Sequence, residues 1–415
     1  MNSKKMRSAP ITGTYSFLVT GYDWGAGVNK AVLTMERKIS RVDAKDFLVF
    51  ETKQETDWTG TDFPVVINKT RREVTDAYLC DSSGNRCEGP SCHIALKMYV
   101  SPETGSPLLF SMKTQKNSWS DPYFLTFALE EGATLETPEG QFACLDIARE
   151  ATGIVTSVDM FELSNHMTES GISYDYVSYK PKSRYETLVV WLHGMGEGGT
   201  DNSDAYMPVL GNKAGALAGE KFQKTIKNAA ILAPQCPTMW MDDGSGDFTA
   251  EGSSLYTKSL MELIERHKNE CGASKVVLTG CSNGGFMVLE MMTSYPGYFA
   301  AGVPICAAKL DGWVSDDDIN RLKDQPLYFI YSNDDQVVDP LLYEIPVIER
   351  LKNAGAKNLA VATTDMVIDT SGKYTDDKGN PYRYNGHWSW IYFDNNEAFD
   401  DVTGLDSWSW IANHI

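Results

Sequence analysis

Residues 280–285 read Gly-Cys-Ser-Asn-Gly-Gly and set a serine hydroxyl between two glycines in the spacing G-x-S-x-G. The run before them, residues 275–279 (KVVLT), predicts a strand, and residues 285–294 have helical spacing. A serine on so sharp a strand-to-helix turn takes a strained backbone and needs small neighbours, which Gly280 and Gly284 supply. The turn lifts the Ser282 hydroxyl clear of the sheet edge. It also sets the Asn283 amide at a helix N-terminus, where the dipole favours a developing oxyanion. The chemistry these residues suit is nucleophilic attack on an acyl carbon. The competing reading is an ordinary Gly-rich strand–helix turn. Cys281 occupies the variable position and is expected to point into the sheet, not to act as a thiol nucleophile.

A serine hydroxyl needs a base, an oriented acid and oxyanion donors. Upstream, residues 188–196 (LVVWLHGMG) are an apolar run leading into His-Gly-x-Gly. There the Met195 amide is placed to donate to an oxyanion together with the Asn283 amide, and His193 is read as holding the loop. Downstream, residues 327–338 (LYFIYSNDDQVV) read as a strand ending in a polar turn. Either Asp334 or Asp335 suits the acid, and the pattern strand–turn–D-x-V-V favours Asp335. Of the six histidines only His387 and His414 follow it in the order serine, acid, histidine. His414 is the penultimate residue, where a frayed terminus holds nothing in place. His387, in the loop Asn385-Gly386-His387-Trp388, is the expected base.

Other candidates carry less. Residues 234–240 (PQCPTMW) shape a pocket or are a plain loop. Asp316, Asp317 and Asp318 are read as capping a helix, not as a metal cluster. Trp388, Trp390, Trp408 and Trp410 suit core packing better than sugar stacking. No metal and no cofactor is expected.

The elements that must position these residues change character along the chain. Up to about residue 154, short alternating runs (15–20, 30–35, 47–52, 94–100, 123–129) are separated by Gly-, Pro- and Asp-rich turns, which predicts an all-β sandwich of immunoglobulin-like type. From residue 155, wholly apolar strand-like runs (188–192, 230–233, 276–279, 303–305, 327–331) alternate with helical ones (256–269, 285–294, 341–353). That is the pattern of a mostly parallel sheet flanked by helices. Residues 160–180 read as an opening antiparallel pair. The expected domains are 1–154 and 155–415.

Composition narrows the partners. The 415 residues carry 56 Asp+Glu against 37 Lys+Arg, a net charge of −19 with no basic run to offset it. Such a surface repels nucleic acid and anionic lipid, so a neutral substrate is expected. No apolar stretch has the length of a membrane helix, and residues 1–10 (MNSKKMRSAP) lack the apolar core of a signal peptide. Among eight cysteines, Cys80 and Cys87 flank a turn and suit a local disulfide, with free thiols as the alternative; Cys92 lies close by. A disulfide would imply an extracytoplasmic location.

Together WLHGMGEGG, GCSNGG, SNDDQVVD and NGHWSW resemble the α/β-hydrolase superfamily over about residues 155–415. More narrowly, the chain resembles bacterial esterases with an N-terminal immunoglobulin-like domain, related to feruloyl esterases and polyhydroxybutyrate depolymerases. TGYDWGAGVNKAVL and VTDAYLCDSSGN are similar to the N-terminal domain of that group. The resemblance implies a secreted carboxylesterase acting on a short-chain, hydroxycinnamoyl or polyester ester, with the N-terminal domain shaping the active-site entrance or making contacts in a homo-oligomer. A serine peptidase of the prolyl-oligopeptidase type is the runner-up, although some 155 β-rich residues without a blade-length repeat are too few for its propeller. A binding protein with an inactive hydrolase domain is the non-enzymatic alternative.

Overall fold

The computed structural model describes residues 6, 7, 9–199 and 204–415. Part of the 1–10 start read above as no signal peptide therefore lies outside the described residues. The chain divides into two compact units, Met1–Asp159 and Met160–Ile415. The division falls five residues beyond the expected 154/155 because strand Gly153–Thr156 pairs in parallel with Ile11–Tyr22 and so belongs to the first unit.

The first unit is all β apart from one 3₁₀ turn at Ala44–Asp46. A six-stranded sheet contains Leu145–Ile147, Ile11–Tyr22, Gly25–Ile39, Ser91–Met98 and Val74–Cys80 in that order, with Gly153–Thr156 also on Ile11–Tyr22. A second sheet orders Tyr123–Leu129, Phe47–Thr56 and Val65–Arg72. The guanidinium of Arg72 joins the two, while its buried ion pair with Glu51 lies within the small sheet. Arg72, on the small sheet, donates to Glu51 Oε1 at 2.8 Å and to the Val28 carbonyl of the large sheet at 2.9 Å. It also donates to the Tyr99 carbonyl at 2.8 Å, and the Tyr123 hydroxyl closes on Glu51 Oε1 at 2.6 Å.

None of the eight cysteines is joined in a disulfide. Of the two readings of Cys80 and Cys87, the disulfide is the one that fails, and register is the reason. Cys80 bridges to Arg86, and the Cys87 amide donates to the Leu79 carbonyl, which sets Cys87 opposite Leu79. Adjacent strand residues face opposite sides, so the Cys80 side chain turns inward among Val32, Tyr78 and Ala95 while that of Cys87 turns away.

The second unit is built on eight strands: β1 Glu162–Met167, β2 Ser173–Tyr179, β3 Thr187–Leu192, β4 Ala229–Pro234, β5 Lys275–Cys281, β6 Ala301–Ile305, β7 Leu327–Ser332 and β8 Leu359–Thr364. Their order is β1-β2-β4-β3-β5-β6-β7-β8, antiparallel for the first two pairings and parallel thereafter. Strands β3, β4, β6 and β7 are buried at every residue, as wholly apolar runs require.

Alternation along these strands feeds two layers of helix. Leu188, Val190, Leu192, Leu327 and Phe329 share one core with helices α1 Thr257–Cys271, α2 Asn283–Ser294, α3 Asp316–Leu322 and α4 Glu344–Asn353. On the other face Trp191 stacks on Phe393 of α5 Trp390–Asp394, and Tyr328 meets Trp410 of α6 Ser407–Ala412 edge-on. Helix α3 starts at the N-cap Ser315, which forms a capping box with Asp318. The three aspartates therefore lie inside the first turn, where their charge suits the helix dipole, and the cap expected of them is Ser315 instead, because the helix starts earlier, at Asp316.

The Arg72–Glu51 pair yields a test. Arg72→Met leaves Glu51 buried and unpaired, and is expected to cost about 3–5 kcal/mol in urea unfolding. Adding Glu51→Leu is expected to recover part of that loss.

Candidate active site

From Val276 to Leu289 every residue is buried except Ser282. Its backbone, φ 56° and ψ −116°, is one that side-chain-bearing residues rarely adopt. Three hydrogen bonds hold it there. The Ser282 amide donates to the Ile305 carbonyl at 2.8 Å, and the Ser282 carbonyl accepts from Phe286 at 2.9 Å and from Ala308 at 3.1 Å. Sterics fix the turn as well. A methyl group on Gly284 would overlap the Leu192 and His193 carbonyl oxygens, and one on Gly280 would lie 2.7 Å from the Leu192 oxygen. Gly285, not singled out from sequence, is equally confined: a methyl there would come within 2.7 Å of the Ile305 oxygen. Cys281 is fully buried, and burial pushes its thiol well above the ordinary range, which leaves it unsuited as a nucleophile.

The end of β3 comes up against this turn. A Cβ built on Gly194 would lie 3.9 Å from Ser282 Cβ. His193 is fully buried; its Nε2 accepts from the Cys236 amide at 2.9 Å and its Nδ1 lies 2.5 Å from the Gly194 carbonyl oxygen. An amide can only donate, so Nε2 is the acceptor and Nδ1 carries the proton. His193 thus ties the loop after β3 to the loop after β4, the structural part expected for it. Met195 opens a 3₁₀ turn, Met195–Glu197, and Asn283 is the first residue of α2. Among the described residues no acceptor is recorded for either amide. The Asn283 side chain also anchors the loop after β4, because its Oδ1 accepts from the Trp240 amide at 2.6 Å.

Of the two aspartates, Asp335 is the one that meets His387. Asp335 Oδ2 lies 2.7 Å from His387 Nδ1, and Oδ1 accepts the Val337 and Val338 amides at 2.8 and 2.9 Å. Both Asp335 and His387 are buried. Asp334 turns the other way, with Oδ1 2.5 Å from the Ser332 hydroxyl and Oδ2 2.6 Å from Arg383. Arg383 starts the loop that carries His387, so Asp334 latches that loop to the turn after β7. Within the loop a Cβ on Gly386 would collide with Asp334, through both its side chain and its carbonyl. Asp334, Arg383 and Gly386 were not read as a unit from sequence; the signal was a Gly directly before the histidine.

His414 lies beyond the end of α6, with its Nδ1 2.8 Å from the Trp410 carbonyl oxygen. Trp390 and His387 meet edge-on and Trp408 packs on Phe222, which places these two tryptophans in packing. Among the described residues no group of three His, Cys, Asp or Glu side chains is arranged to hold a metal ion, and no helix is long and apolar enough to cross a membrane.

Gly386→Ala is expected to part His387 from Asp335. The low-field proton resonance of the Nδ1–H···Asp335 bond should vanish from the NMR spectrum. Labelling of Ser282 by an organophosphorus probe should slow by about 10²-fold.

Comparison with known proteins agrees with this architecture. Residues 14–143 match the family described as the esterase Ig-like N-terminal domain. The crystal structure of a thermostable esterase superposes with a TM-score of 0.71 at 19% identity, covering 92% of this chain and 96% of that one. A ferulic acid esterase (TM-score 0.39, 14% identity, 49% of this chain and 90% of that one) and a Pyrococcus furiosus esterase (0.33, 15%, 49% and 82%) show slighter likenesses that carry no weight here. Comparison with curated protein sequences gives no match. At such identities the likeness is one of fold: the chain joins an esterase-type immunoglobulin-like N-terminal domain to a domain with the α/β-hydrolase fold.

Proposed function

We propose that the protein is a carboxylic ester hydrolase working through Ser282, His387 and Asp335. The observation that carries this reading is the 2.7 Å contact between Asp335 Oδ2 and His387 Nδ1. It commits Nδ1 to the carboxylate and leaves Nε2 as the nitrogen that can take the Ser282 proton. Ser282 Oγ attacks the ester carbon while His387 accepts its proton, and Asp335 steadies the imidazolium. The Met195 and Asn283 amides donate to the tetrahedral oxyanion. Collapse expels the alcohol, which takes its proton from His387, and leaves an acyl-enzyme. Water then attacks with the same base and releases the acid.

The net charge of −19 favours a neutral ester over a polyanion. Within that class, short-chain acyl, hydroxycinnamoyl and aliphatic polyester substrates are the arms of a panel that varies acyl length and alcohol bulk.

Ser282→Ala is expected to abolish fluorophosphonate labelling and to lower p-nitrophenyl acetate turnover by about 10⁴-fold or more. Asp335→Asn should lower it by about 10⁴-fold, whereas Asp334→Asn should act only through loop position and cost far less. Amidase turnover of a proline-containing peptide with negligible esterase turnover would favour a peptidase instead. Absence of labelling in the wild type would favour the inactive-domain alternative.

A further inference from the structure

The groups below the Asp335–His387 pair hold a carboxyl that the mechanism above does not use. Glu344, the first residue of α4, is 2% exposed, and neither of its oxygens has a hydrogen-bond partner of ordinary geometry among the described residues. The main-chain amides of Ala307 and of Glu344 itself lie beside it, as do the carboxylates of Asp335 and Asp339. The charge of the same carboxyl acts on Cys306. That cysteine takes a φ of 37°, which a side-chain-bearing residue rarely holds, and its thiol is fully buried next to Asp335, Glu344, the Ser282 main chain and the Ser389 side chain. Ser389, two residues past His387, is also fully buried, and its hydroxyl has no partner of ordinary geometry. Elements after β6, after β7 and after His387 therefore bring Cys306, Glu344 and Ser389 into one buried group, and the charge of Asp335 acts on both Cys306 and Glu344.

A buried carboxyl without a cation cannot stay ionised cheaply. Asp335, Asp339, Cys306, Tyr331 and Tyr343 act on Glu344 from its surroundings, and each is a group that is either neutral or negative. Burial first, and then the neighbouring carboxylate of Asp335, hold the Glu344 carboxyl well above the usual carboxylate range.

We infer that Glu344 is a positioning residue of the active site: a neutral carboxylic acid behind Asp335 whose retained proton leaves Asp335 as the single buried anion facing His387. The inference rests on the reading of Ser282, Asp335 and His387 as a catalytic triad. While protonated, Glu344 adds an O–H donor and no charge to the buried group that includes Cys306 and Ser389. Once ionised, it sets a second negative charge acting on Asp335, and the repulsion disturbs the contacts that seat Asp335 against His387. Glu344 therefore sets the alkaline limit of activity.

Stability must follow the same proton. A carboxyl whose folded-state affinity for a proton exceeds its unfolded one stabilises the fold fully below the unfolded value. That stability is lost as pH rises through the folded value.

The test compares wild type, Glu344→Gln and Glu344→Leu between pH 5 and pH 10. Glutamine keeps a neutral donor at every pH; leucine keeps the volume without one. In the wild type kcat is expected to decline reversibly on the alkaline side. In Glu344→Gln the plateau should extend upward by about one pH unit or more. In Glu344→Leu kcat should fall about tenfold across the range with KM within about twofold. Infrared difference spectra at neutral pH should show a protonated carboxyl band in the wild type that is missing from Glu344→Gln. The melting temperature of wild type relative to Glu344→Gln should drop as pH rises. Superimposable pH profiles of wild type and Glu344→Gln, full activity of Glu344→Leu, or no protonated carboxyl band would each overturn the inference. The infrared and melting measurements need no substrate. A wild type that cleaves no ester would sink the esterase reading alone and leave those two measurements to decide the state of Glu344.

Discussion

The Gly284 backbone lies against the carbonyl oxygens of Leu192 and His193 with no room for a methyl group between them. This close approach of the strand–helix turn to the end of β3 governs the rest of the site. It brings the loop that carries Met195 alongside Ser282, and it forces Ser282 into its positive φ. Every residue around Ser282 stays buried while the serine itself does not. The strain is held by main-chain hydrogen bonds to Ile305, Phe286 and Ala308, so the sheet over-determines the conformation that the serine alone would avoid.

A second close approach complements the first. Asp334 and Asp335 are chemically identical neighbours with separate roles. Asp335 turns inward to His387 and two amides, while Asp334 turns outward to Arg383 and blocks any side chain at position 386. The histidine loop is thus seated from both ends, by an ion pair before it and by the Asp335 contact within it. An exposed ion pair alone contributes little to stability; here it matters because it fixes the geometry of a loop that no helix or strand restrains.

What was legible in the sequence was what local sterics and alternation dictate. Gly280-Cys281-Ser282-Asn283-Gly284 reads as a turn because glycine is the residue that such crowding tolerates. The apolar runs of β3, β5 and β7 read as buried strands because both faces are covered. The D-x-V-V pattern favoured Asp335 over Asp334 without deciding between them, since that depends on which way the chain leaves β7. Cys80 and Cys87 look pairable by spacing, and only the hairpin register parts them. Glu344 was illegible for a different reason. A glutamate heading an amphipathic helix is ordinarily solvated and complements the dipole. Its burial follows from α4 packing against α3 and the 3₁₀ turn Asp311–Trp313, a tertiary event that no local pattern records. Strand β8 and the latch through Arg383 likewise depend on partners far along the chain.

The strand order has a consequence for how the molecule comes into being. The central strand β5 pairs with β3, nearly ninety residues earlier, and about a hundred residues of chain separate Ser282 from His387. Parallel pairings at such separations incur large loop-closure entropy before any contact rewards them, so they form late in folding. Ser282, Asp335 and His387 come together only when β3 through β8 have all docked. Their arrangement is therefore a late product of maturation in this chain, and the wholly apolar strands that wait for their neighbours are the stretches most exposed to aggregation on the way.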